Sequence, residues 1–549
     1  MRRPAALLLA GAVVVVVALV VVLLVLRDDD APAPAGAPSP TSPTADTSAS
    51  TAAPAPDQEL TTVLSSGFDE SEDGWQALGD GVQVERVQDV TRSGAGSLRV
   101  SGRTETWHGA QVDVSGAVVG GVAHTVSAWV RTDGEEADVQ LTLERETADD
   151  GDPVYLHVGQ VRAGSAGWTQ VAGTVDVPEG DGGWRLYVET TDSLTDLRLD
   201  DVTVSRPSPP VQADIPALRD VAPFAVGTAV GPQDLTGRPA ELLTRHFDQV
   251  TAENVMKPVT VQPVEGEFDF GPMDQVLDAA VADGLAVHGH TLVWHRSTPD
   301  WFFQRPDGTA LTSSEADRAL LLTRLETHMR AIADHLAERY GDANPVRSWD
   351  VVNEALDPAQ DDGLRHSRWW EVLGPDYVAE SFRLAREVFG PDVTLYLNDY
   401  ETDAPDRRRA LVSLVQSLQD AGAPIDAVGH QMHLRLGSSV DRVGQTLDAV
   451  AALGVRQAVT ELDLALSGTD EQLDATPTDR LDQQGAEMEA LVRELATHDL
   501  EFVSVWGLYD ARSWLRTWPR DRPFEAPLLF DDDLQAKPAY WGFVHALDG

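Results

Sequence analysis

The sequence predicts two folded domains, an all-β sandwich of the jelly-roll kind followed by a (β/α)8 barrel. Three observations indicate this arrangement. Short alternating stretches fill residues 60–205, a Pro-rich segment follows, and eight β-rich runs alternate with amphipathic helices over the remainder. A chain of 549 residues also exceeds what one ordinary core holds. The predicted division is an apolar segment over 1–27, a linker over 28–59, a sandwich over 60–205, a linker over 206–216 and a barrel over 217–549.

Composition narrows the classes of function. Hydrophobic residues at 42% and charged residues at 24% are ordinary for globular protein. The net charge of -48 would repel nucleic acid and anionic lipid over most of the surface, so nucleic acid is not an expected partner. The absence of cysteine excludes disulfide frameworks, thiolate zinc sites, thiol nucleophiles and a lipid-modified N-terminal cysteine.

The N-terminal segment predicts export. Residues 5–26 form an unbroken apolar run of 22 residues, about 33 Å as a helix, which is enough to cross a bilayer core. Arg2 and Arg3 precede it and acidic residues follow it, as expected for an N-terminus held inside the cell. We expect an uncleaved anchor that tethers the rest of the chain outside the cell. The alternative is a secreted protein whose signal is cleaved, although the sequence around Ala31 and Ala33 is a poor cleavage site.

Residues 28–59 are rich in Pro, Ala, Ser and Thr, so we expect an extended spacer. Four alternating stretches then predict strands, and Gly- and Asp-rich turns separate them without any helical period. These stretches are 97–102, 125–132, 138–145 and 197–205. The pattern indicates a sandwich, closed by the second Pro-rich linker.

The barrel is predicted from eight β-rich runs separated by helical periodicity. The runs are 224–230, 247–254, 285–295, 346–354, 393–400, 425–433, 456–464 and 501–510. Nearly all of them end in groups that can do chemistry. These groups are Glu253, Asn254, His290, Trp294, His295, Asn353, Glu354, Asn398, Asp399, Gln431, His433, Glu461, Asp463, Trp506 and Asp510.

In a barrel, the carboxyl ends of all strands converge on the face that carries the active site. Any one polar residue at a strand end is equally well explained by the start of a loop, but so many together favour a site. Tryptophans at this face, Trp294, Trp506 and Trp514, favour stacking of sugar rings.

Two carboxylates suit cleavage of a glycosidic bond. Glu354 ends the fourth run and Glu461 the seventh, which places them on opposite sides of the barrel mouth. One carboxylic acid can then protonate the leaving oxygen while an ionised partner attacks the anomeric carbon. Asn353 would bond a substrate 2-hydroxyl, and His433 with Asp463 would hold the nucleophile charged and oriented.

A catalytic metal is the competing interpretation, because several histidines also end these runs. They are His290, His295, His430 and His433. No compact ligand spacing appears, so hydrogen-bonding or substrate-binding histidines are the default. The sequence also lacks a P-loop and a dinucleotide fingerprint. We therefore expect neither metal nor cofactor.

At this point the residues resemble glycoside hydrolase family 10, the endo-β-1,4-xylanases, across residues 217–547. Seven motifs carry the resemblance in the family's order: TAENVMK (251–257), GHTLVWH (289–295), WDVVNEAL (349–356), NDYE (398–401), GHQMH (429–433), TELD (460–463) and VWGLYDARSW (505–514). The resemblance implies retaining hydrolysis of internal xylan bonds, with Glu354 as acid/base and Glu461 as nucleophile. It implies that the sugar subsites are lined by Glu253, Asn254, Lys257, His290, Trp294, Asn353, Gln431, His433, Trp506 and Trp514.

Two positions stand out against this resemblance. Lys257 and Lys537 are the only lysines in a chain that otherwise uses arginine, so a compact ammonium is indicated at Lys257, with chance as the alternative. After GHTLVWH the family usually continues Ser-Gln, whereas this chain has Arg296 and Ser297. A glutamine contact to sugar is therefore missing, which leaves the preference of the neighbouring glycone subsites open.

The β-domain is similar to carbohydrate-binding module family 22. The resemblance rests on residues 101–114, 125–130, 186–190 and 199–204. It implies Trp107, Tyr187 and Glu189 as candidate xylan contacts, with Tyr155 a weaker one. A place in the sandwich core or at a solvated edge explains each of them equally well.

Together these resemblances imply a monomeric, surface-tethered enzyme whose partners are xylan and xylo-oligosaccharides. Two rivals remain at this point. One is a β-1,4-glucanase or an enzyme of mixed specificity on the same barrel, which turnover on xylan and on soluble cellulose derivatives would separate. The other is a wall-binding protein with a degenerate barrel and no activity, against which both glutamates stand in full motifs.

Overall fold

The computed structural model describes residues 59–145, 153–180, 182–468, 471–473 and 475–548. The apolar segment predicted to cross a membrane, residues 5–26, lies outside the described residues, as does the first linker up to residue 58. Within the described ranges, no helix has the length and apolar character needed to cross a bilayer.

The first domain is a sandwich of two antiparallel sheets. One sheet has the order β3-β4-β11-β6-β9, with β1 added on β11, and the other has the order β2-β5-β10-β7-β8. In the described part of the chain the eleven strands are β1 (Leu60–Ser66), β2 (Gln76–Leu78), β3 (Gln83–Val87), β4 (Ser97–Ser101), β5 (Gly109–Asp113), β6 (Ala123–Thr132), β7 (Ala137–Arg145), β8 (Val154–Ala163), β9 (Thr169–Asp176), β10 (Trp184–Thr190) and β11 (Leu197–Pro207).

Alternation of side chains along these strands explains the sandwich. In β6 every second residue is buried, and in β10 the fully buried Leu186 and Val188 alternate with residues of the outer face. The four stretches predicted as strands form β4, β6, β7 and β11. An all-β first domain is therefore confirmed.

The second domain is a closed barrel of eight parallel strands. They are β12 (Ala225–Val230), β13 (Gln249–Ala252), β14 (Ala286–Gly289), β16 (Val346–Asn353), β17 (Thr394–Asp399), β18 (Ala427–His430), β20 (Arg456–Ala465) and β21 (Phe502–Val505). Each strand pairs with the next, and β21 pairs in parallel with β12 to close the barrel. Each of the eight predicted runs contains one of these strands, so the predicted barrel is confirmed. Two short strands, β15 (Val293–Trp294) and β19 (His433–Arg435), extend the mouth.

Helices surround the barrel in the described part of the chain. They are α1 (Leu218–Val221), α2 (Gly237–His246), α3 (Pro258–Val261), α4 (Gly271–Asp283), α5 (Glu315–Tyr340), α6 (Arg368–Leu373), α7 (Tyr377–Phe389), α8 (Pro405–Asp420), α9 (Val440–Ala451), α10 (Thr478–Leu495) and α11 (Pro538–Leu547). Short 3-10 turns span Pro232–Asp234, Asp300–Phe303, Gly341–Ala343, Asp510–Arg512 and Trp514–Arg516.

Helix α5 shows how local sequence sets the ends of an element. The hydroxyl of Ser314 accepts a hydrogen bond from the backbone N–H of Asp317 at 3.3 Å, which caps the first turn. Gly341 ends the helix with φ of 50°, a left-handed conformation that costs glycine little. Between these ends, Leu321 and Leu325 bury one face of the helix in the barrel core.

The segment predicted as the second linker, residues 206–216, is attached to the barrel. Strand β11 continues to Pro207, and Arg206 forms an ion pair with Asp533. Gln535 Nε2 donates to the backbone oxygen of Pro210 at 3.2 Å, and Gln212 Oε1 accepts from a backbone N–H at 2.7 Å. The linker therefore follows the surface of the barrel.

Candidate active site

The carboxyl ends of the barrel strands bring the predicted residues together. Glu253 and Asn254 follow β13, His290 follows β14, and Glu354 follows β16. On the other side of the mouth, Gln431 follows β18, Glu461 and Asp463 lie within β20, and Trp506 follows β21. Parallel strands all end at the same face of a barrel, which explains why residues far apart in sequence meet here.

Glu461 is held by donors on both carboxylate oxygens. Asn398 Nδ2 donates to Oε1 at 2.7 Å, and His433 Nε2 lies 3.2 Å from Oε2. The residue is 4% exposed. Two such donors fix the orientation of a buried carboxylate, as attack on an anomeric carbon requires.

His433 carries a positive charge between the carboxylates of Glu461 and Asp463. Its Nδ1 lies 2.8 Å from Asp463 Oδ2, while its Nε2 faces Glu461. Burial disfavours the charged imidazole, but the two carboxylates outweigh burial and raise the pKa of His433 to about 10. His433 is therefore protonated at neutral pH and donates to both acids. Trp514 Nε1 also donates to Asp463 Oδ2, at 2.9 Å, which fixes the second acid.

Glu354 has a different environment. Its backbone has a φ of 58°, uncommon for a residue other than glycine. Two backbone hydrogen bonds hold it there: its N–H donates to Asn398 O at 2.8 Å, and Arg365 Nε donates to its carbonyl oxygen at 2.9 Å. His295 Nδ1 lies 3.7 Å from Oε2. No described residue donates a hydrogen bond to the Glu354 carboxylate. The two acids therefore differ, because the Glu461 carboxylate has a hydrogen-bond partner on each oxygen.

His295 beside Glu354 is neutral. Burial first, and then the charges of Arg365 and Arg296, lower the pKa of His295 to about 4. The imidazole therefore adds no positive charge next to Glu354 at neutral pH.

Asn398 is a residue of this site that was not predicted to line it. Its Nδ2 lies within hydrogen-bond distance of Glu461 Oε1 at 2.7 Å and Asn353 Oδ1 at 3.0 Å, and its Oδ1 accepts from Thr460 at 2.7 Å. A Cβ on Gly429 would lie 2.4 Å from Asn398 Oδ1, so glycine is needed there. The available signal was the position of Asn398 at the end of the fifth run.

Asn353 presents one side of its amide to the cleft. Its Oδ1 accepts from Asn398 Nδ2 and from Gln431 Nε2 at 3.1 Å. The oxygen is thus occupied, and Nδ2 is the group left to donate to a substrate hydroxyl. Both predicted residues, Asn353 and Gln431, are about 97% buried or more, which fixes this orientation.

His290 is oriented by Asp350, a second residue that was not predicted. His290 Nδ1 lies 2.8 Å from Asp350 Oδ2, and His288 Nε2 lies 3.0 Å from Oδ1. Burial raises the pKa of Asp350, but the two histidines outweigh burial and lower the pKa below its usual value. The ionised carboxylate holds a proton on His290 Nδ1, which leaves Nε2 as the nitrogen available to the cleft.

Lys257 lies among the acids, as its sequence motif suggested. Its Nζ donates to Asn254 Oδ1 at 2.9 Å and lies 5.0 Å from the centroid of the Trp294 ring. Burial lowers the pKa of Lys257, while Glu461, Glu253 and Glu354 oppose that shift. The ammonium therefore stabilises negative charge across the mouth of the barrel.

Three predicted tryptophans line this region. Trp506 is 7% exposed and its ring lies 5.4 Å from that of His290, while Trp514 lies 5.0 Å from His433. The indole Nε1 of Trp294 is buried without a described partner. An additional tryptophan, Trp518, is 48% exposed and stacks on Trp514 with ring centroids 5.3 Å apart. The sequence analysis did not single out Trp518.

Among the described residues, one group of side chains has atoms close enough to hold a metal. The ligand atoms of His290, Asp350 and Glu461 lie within 4.8 Å of one another. His290 and Asp350 already bond each other, and Glu461 bonds Asn398 and His433. Hydrogen bonding within the site accounts for this group.

The candidate contacts of the sandwich share one region. Tyr187 and Glu189 on β10 and Tyr155 on β8 point to the outer face of the five-stranded sheet, because β7 places them in register on the same side. Tyr155 is 58% exposed and Tyr187 is 8% exposed. Trp107 is 51% exposed and sits in the loop before β5, where Thr106 accepts a hydrogen bond from the end of β10.

Polar residues of the same face surround these aromatics. Gln140 Nε2 donates to Glu189 Oε1 at 3.2 Å, and Arg185 bonds both oxygens of Glu144 at 2.9 and 2.6 Å. Burial raises the pKa of Tyr187 to about 12, with a smaller effect of the Glu189 charge. This face therefore combines aromatic rings with fixed polar groups.

Comparison with known proteins agrees with this geometry. Residues 61–195 match the model of a carbohydrate binding domain. The chain is 37% identical over 484 residues to an endo-1,4-beta-xylanase A of Thermoanaerobacterium saccharolyticum, covering 86% of this chain and 40% of that protein. It is 36% identical over 495 residues to the exoglucanase XynX of Acetivibrio thermocellus, covering 86% of this chain and 44% of that protein. The chain thus spans less than half the length of these relatives.

A solved structure matches the barrel. It is an intracellular xylanase of Thermoanaerobacterium saccharolyticum, in a variant bound to xylotetraose, with a TM-score of 0.55 and 38% identity over 60% of this chain and 99% of that chain. The model of glycosyl hydrolase family 10 matches residues 217–546, which is more than half of the chain. The chain therefore belongs to glycosyl hydrolase family 10.

Proposed function

We propose that the barrel hydrolyses internal β-1,4 bonds of xylan with retention of anomeric configuration. The unequal environment of the two acids carries this proposal: Glu461 is fixed by Asn398 and protonated His433, whereas no described donor holds the Glu354 carboxylate. A nucleophile must stay ionised, and an acid/base must gain and lose a proton in each cycle. The xylanase relatives support xylan as substrate.

The mechanism has two displacements. In the first, Glu461 attacks the anomeric carbon while Glu354 gives its proton to the leaving oxygen, which releases the aglycone and forms a glycosyl-enzyme ester. In the second, Glu354 takes a proton from water, whose oxygen attacks the anomeric carbon and breaks that ester. Asn353 Nδ2 donates to the 2-hydroxyl of the sugar at the site of cleavage, where that bond strengthens in the transition state.

Product analysis tests this proposal. Residues 60–549 are purified and incubated with arabinoxylan, glucuronoxylan and mixed-linkage glucan, and the first-formed anomer is followed by NMR. We expect xylo-oligosaccharides whose new reducing ends appear first as the β-anomer. An initial α-anomer would mean an inverting enzyme and would overturn both role assignments.

A second activity, on β-1,4-glucan, is favoured by one observation. A relative that covers most of this chain is named an exoglucanase. A glucose unit carries an exocyclic hydroxymethyl group that a xylose unit lacks. The space available in the glycone subsites therefore determines which of the two sugars binds. Turnover on soluble cellulose derivatives at the same enzyme concentration measures this activity, and we expect it to be the weaker of the two.

We also propose that the sandwich binds xylan through the face carrying Tyr155, Tyr187 and Glu189, together with Trp107. Aromatic rings stack on sugar faces, and the fixed polar groups beside them bond hydroxyls. Affinity electrophoresis of residues 60–205 in soluble xylan tests this. The Trp107→Ala and Tyr155→Ala variants should run faster in the gel than the unchanged domain, because they are retarded less. Equal retardation of all three would contradict the assignment.

We propose that the protein is a monomer tethered to the outer cell surface through residues 5–26, whose apolar length supports insertion. A secreted form without the segment is the alternative. One relative with a similar barrel is described as intracellular, so the location of this protein needs direct measurement.

A further inference from the structure

A stack of side chains connects the nucleophile side of the cleft to the loop after β15. Trp514 bonds Asp463 and stacks on Trp518, with an interplanar angle of 28°. The guanidinium carbon of Arg296 in turn lies 5.2 Å from the centroid of the Trp518 ring. The loops after β15 and β21 therefore meet at Arg296 and Trp518.

Arg296 has no acidic partner among the described residues. Its side chain is exposed, and it makes no ion pair with any described carboxylate. By contrast, Arg305 bonds Asp317, and Arg368 bonds Asp300. In a protein of net charge -48, an unpaired guanidinium at the mouth of the barrel is a localised positive site.

The position of Arg296 relative to Trp518 leaves its hydrogen-bond donors available. The Arg296 guanidinium lies over the Trp518 ring and donates to no described residue, so its N–H donors are free to bind a ligand. These donors match two oxygens in one plane, the geometry of a carboxylate. A neutral sugar hydroxyl offers no such pair.

Arg296 also lies close to the reacting groups. It follows His295 directly, and His295 Nδ1 is 3.7 Å from Glu354 Oε2. Its charge contributes to the lowered pKa of His295. The contacts from Arg296 through Trp518 and Trp514 to Asp463 place the guanidinium at the barrel mouth, two aromatic rings away from a residue that helps to hold Glu461.

We propose that Arg296, held by Trp518, binds the carboxylate of an acidic sugar substituent on the xylan backbone, the glucuronosyl class. The inference rests on the proposed function, since it names the form of xylan that the same cleft selects. A positive site also offsets the repulsion that an acidic polysaccharide meets from the rest of this protein.

The test uses the full exported chain, residues 60–549, with glucuronoxylan and with the same polymer after chemical reduction of its carboxyl groups. The measured quantity is the ratio of kcat/KM on the acidic polymer to kcat/KM on the reduced polymer. Arg296→Gln should lower this ratio about fivefold or more, and Arg296→Lys should lower it less, since a lysine keeps the charge without the paired donors. Raising NaCl from about 20 mM to about 500 mM screens this attraction and the repulsion from the rest of the protein alike, so it should narrow the difference in ratio between the unchanged protein and Arg296→Gln.

Arg347→Gln is the matched control. Arg347 is exposed at the amino end of β16, away from the mouth, and should leave the ratio unchanged. An equal loss on both polymers in Arg296→Gln, or a ratio unaffected by that substitution, would overturn the inference. Failure of the proposed function has a different signature, since the unchanged protein would then release no reducing sugar from either polymer.

Discussion

At the scale of single residues, Glu461 and Glu354 lie at the same barrel mouth with opposite requirements. Glu461 accepts from Asn398 and His433, and in the proposed mechanism it stays unprotonated. In the same mechanism Glu354 exchanges a proton in each step. The effect of losing each glutamate should therefore depend differently on the leaving group of the substrate.

We predict that Glu461→Ala is inactive on every substrate, with a loss of about 10⁴-fold or more, because no other group forms the covalent bond. Glu354→Ala should fail on xylan but still form the glycosyl-enzyme from an aryl xylobioside with an acidic phenol, which leaves without a proton. Added azide should speed turnover and give a β-glycosyl azide, identified by NMR. An α-glycosyl azide would reverse the assignment.

A second prediction concerns His433. Its pKa of about 10 arises from Asp463 first and Glu461 second, against burial. In an NMR titration of the labelled histidines, the His433 resonance should stay protonated through pH 8. Asp463→Asn should lower its pKa more than Glu461→Gln does. A His433 resonance that titrates near pH 6.5 in the unchanged protein would refute the charged imidazole.

The same shift makes stability depend on pH. The folded pKa of about 10 exceeds the ordinary value of 6.5, so protonated His433 contributes stability that is fully present below pH 6.5. That contribution declines as pH rises from 6.5 and is lost through pH 10. Urea unfolding between pH 6 and pH 10 should show a decline that is smaller in Asp463→Asn.

Site residues that stand in a recognisable motif could be predicted from the sequence. Residues whose role depends on the register between neighbouring strands could not. Glu354 and Glu461 were identifiable because each is a carboxylate in a quoted motif, WDVVNEAL or TELD, and two carboxylates suit cleavage of a glycosidic bond. Asn398 contacts Glu461 and Asn353 only because β16, β17 and β20 place these three residues at one height in the barrel. No local pattern encodes that alignment.

At the scale of elements, β-rich runs separated by helical periodicity predicted the eight barrel strands, and alternating stretches predicted an all-β first domain. The attachment of the linker was not predictable, because its partners lie more than three hundred positions later. Arg206 meets Asp533, and Gln212 meets the backbone near Gln535. Pro-rich composition indicates only that a segment forms no core of its own.

Because the linker is attached to the barrel, the sandwich can be deleted without removing the contacts of the linker. Deleting residues 60–205 keeps Arg206 and the linker contacts, none of which involves a site residue. Turnover of short soluble xylo-oligosaccharides should then stay within about twofold, while activity on insoluble xylan falls about fivefold or more, since a tethered module raises local substrate concentration. Reducing-sugar assays on both substrates measure this. Equal losses would mean that the sandwich supports the fold of the barrel.

At the scale of the whole molecule, the proposed export and the net charge together bear on where the protein resides. A net charge of -48 repels other copies of the chain and acidic surfaces, which is why we expect a monomer with a soluble catalytic part. Sedimentation of residues 60–549 at low and high salt tests the monomer. Retention at a cell surface then needs the apolar segment, because the folded domains have no electrostatic attraction to anionic lipid.

We therefore predict that the native protein fractionates with membranes and stays there after alkaline carbonate extraction. An apolar run of 22 residues without a charge inserts stably, and its flanking arginines favour an N-terminus inside the cell. Removing residues 1–27 and replacing them with a cleaved signal should move the enzyme to the medium with unchanged specific activity, since the site lies entirely within the barrel. N-terminal sequencing of the native protein separates the two forms: recovery of a soluble chain that begins near Ala31 or later would show that the segment is only a signal.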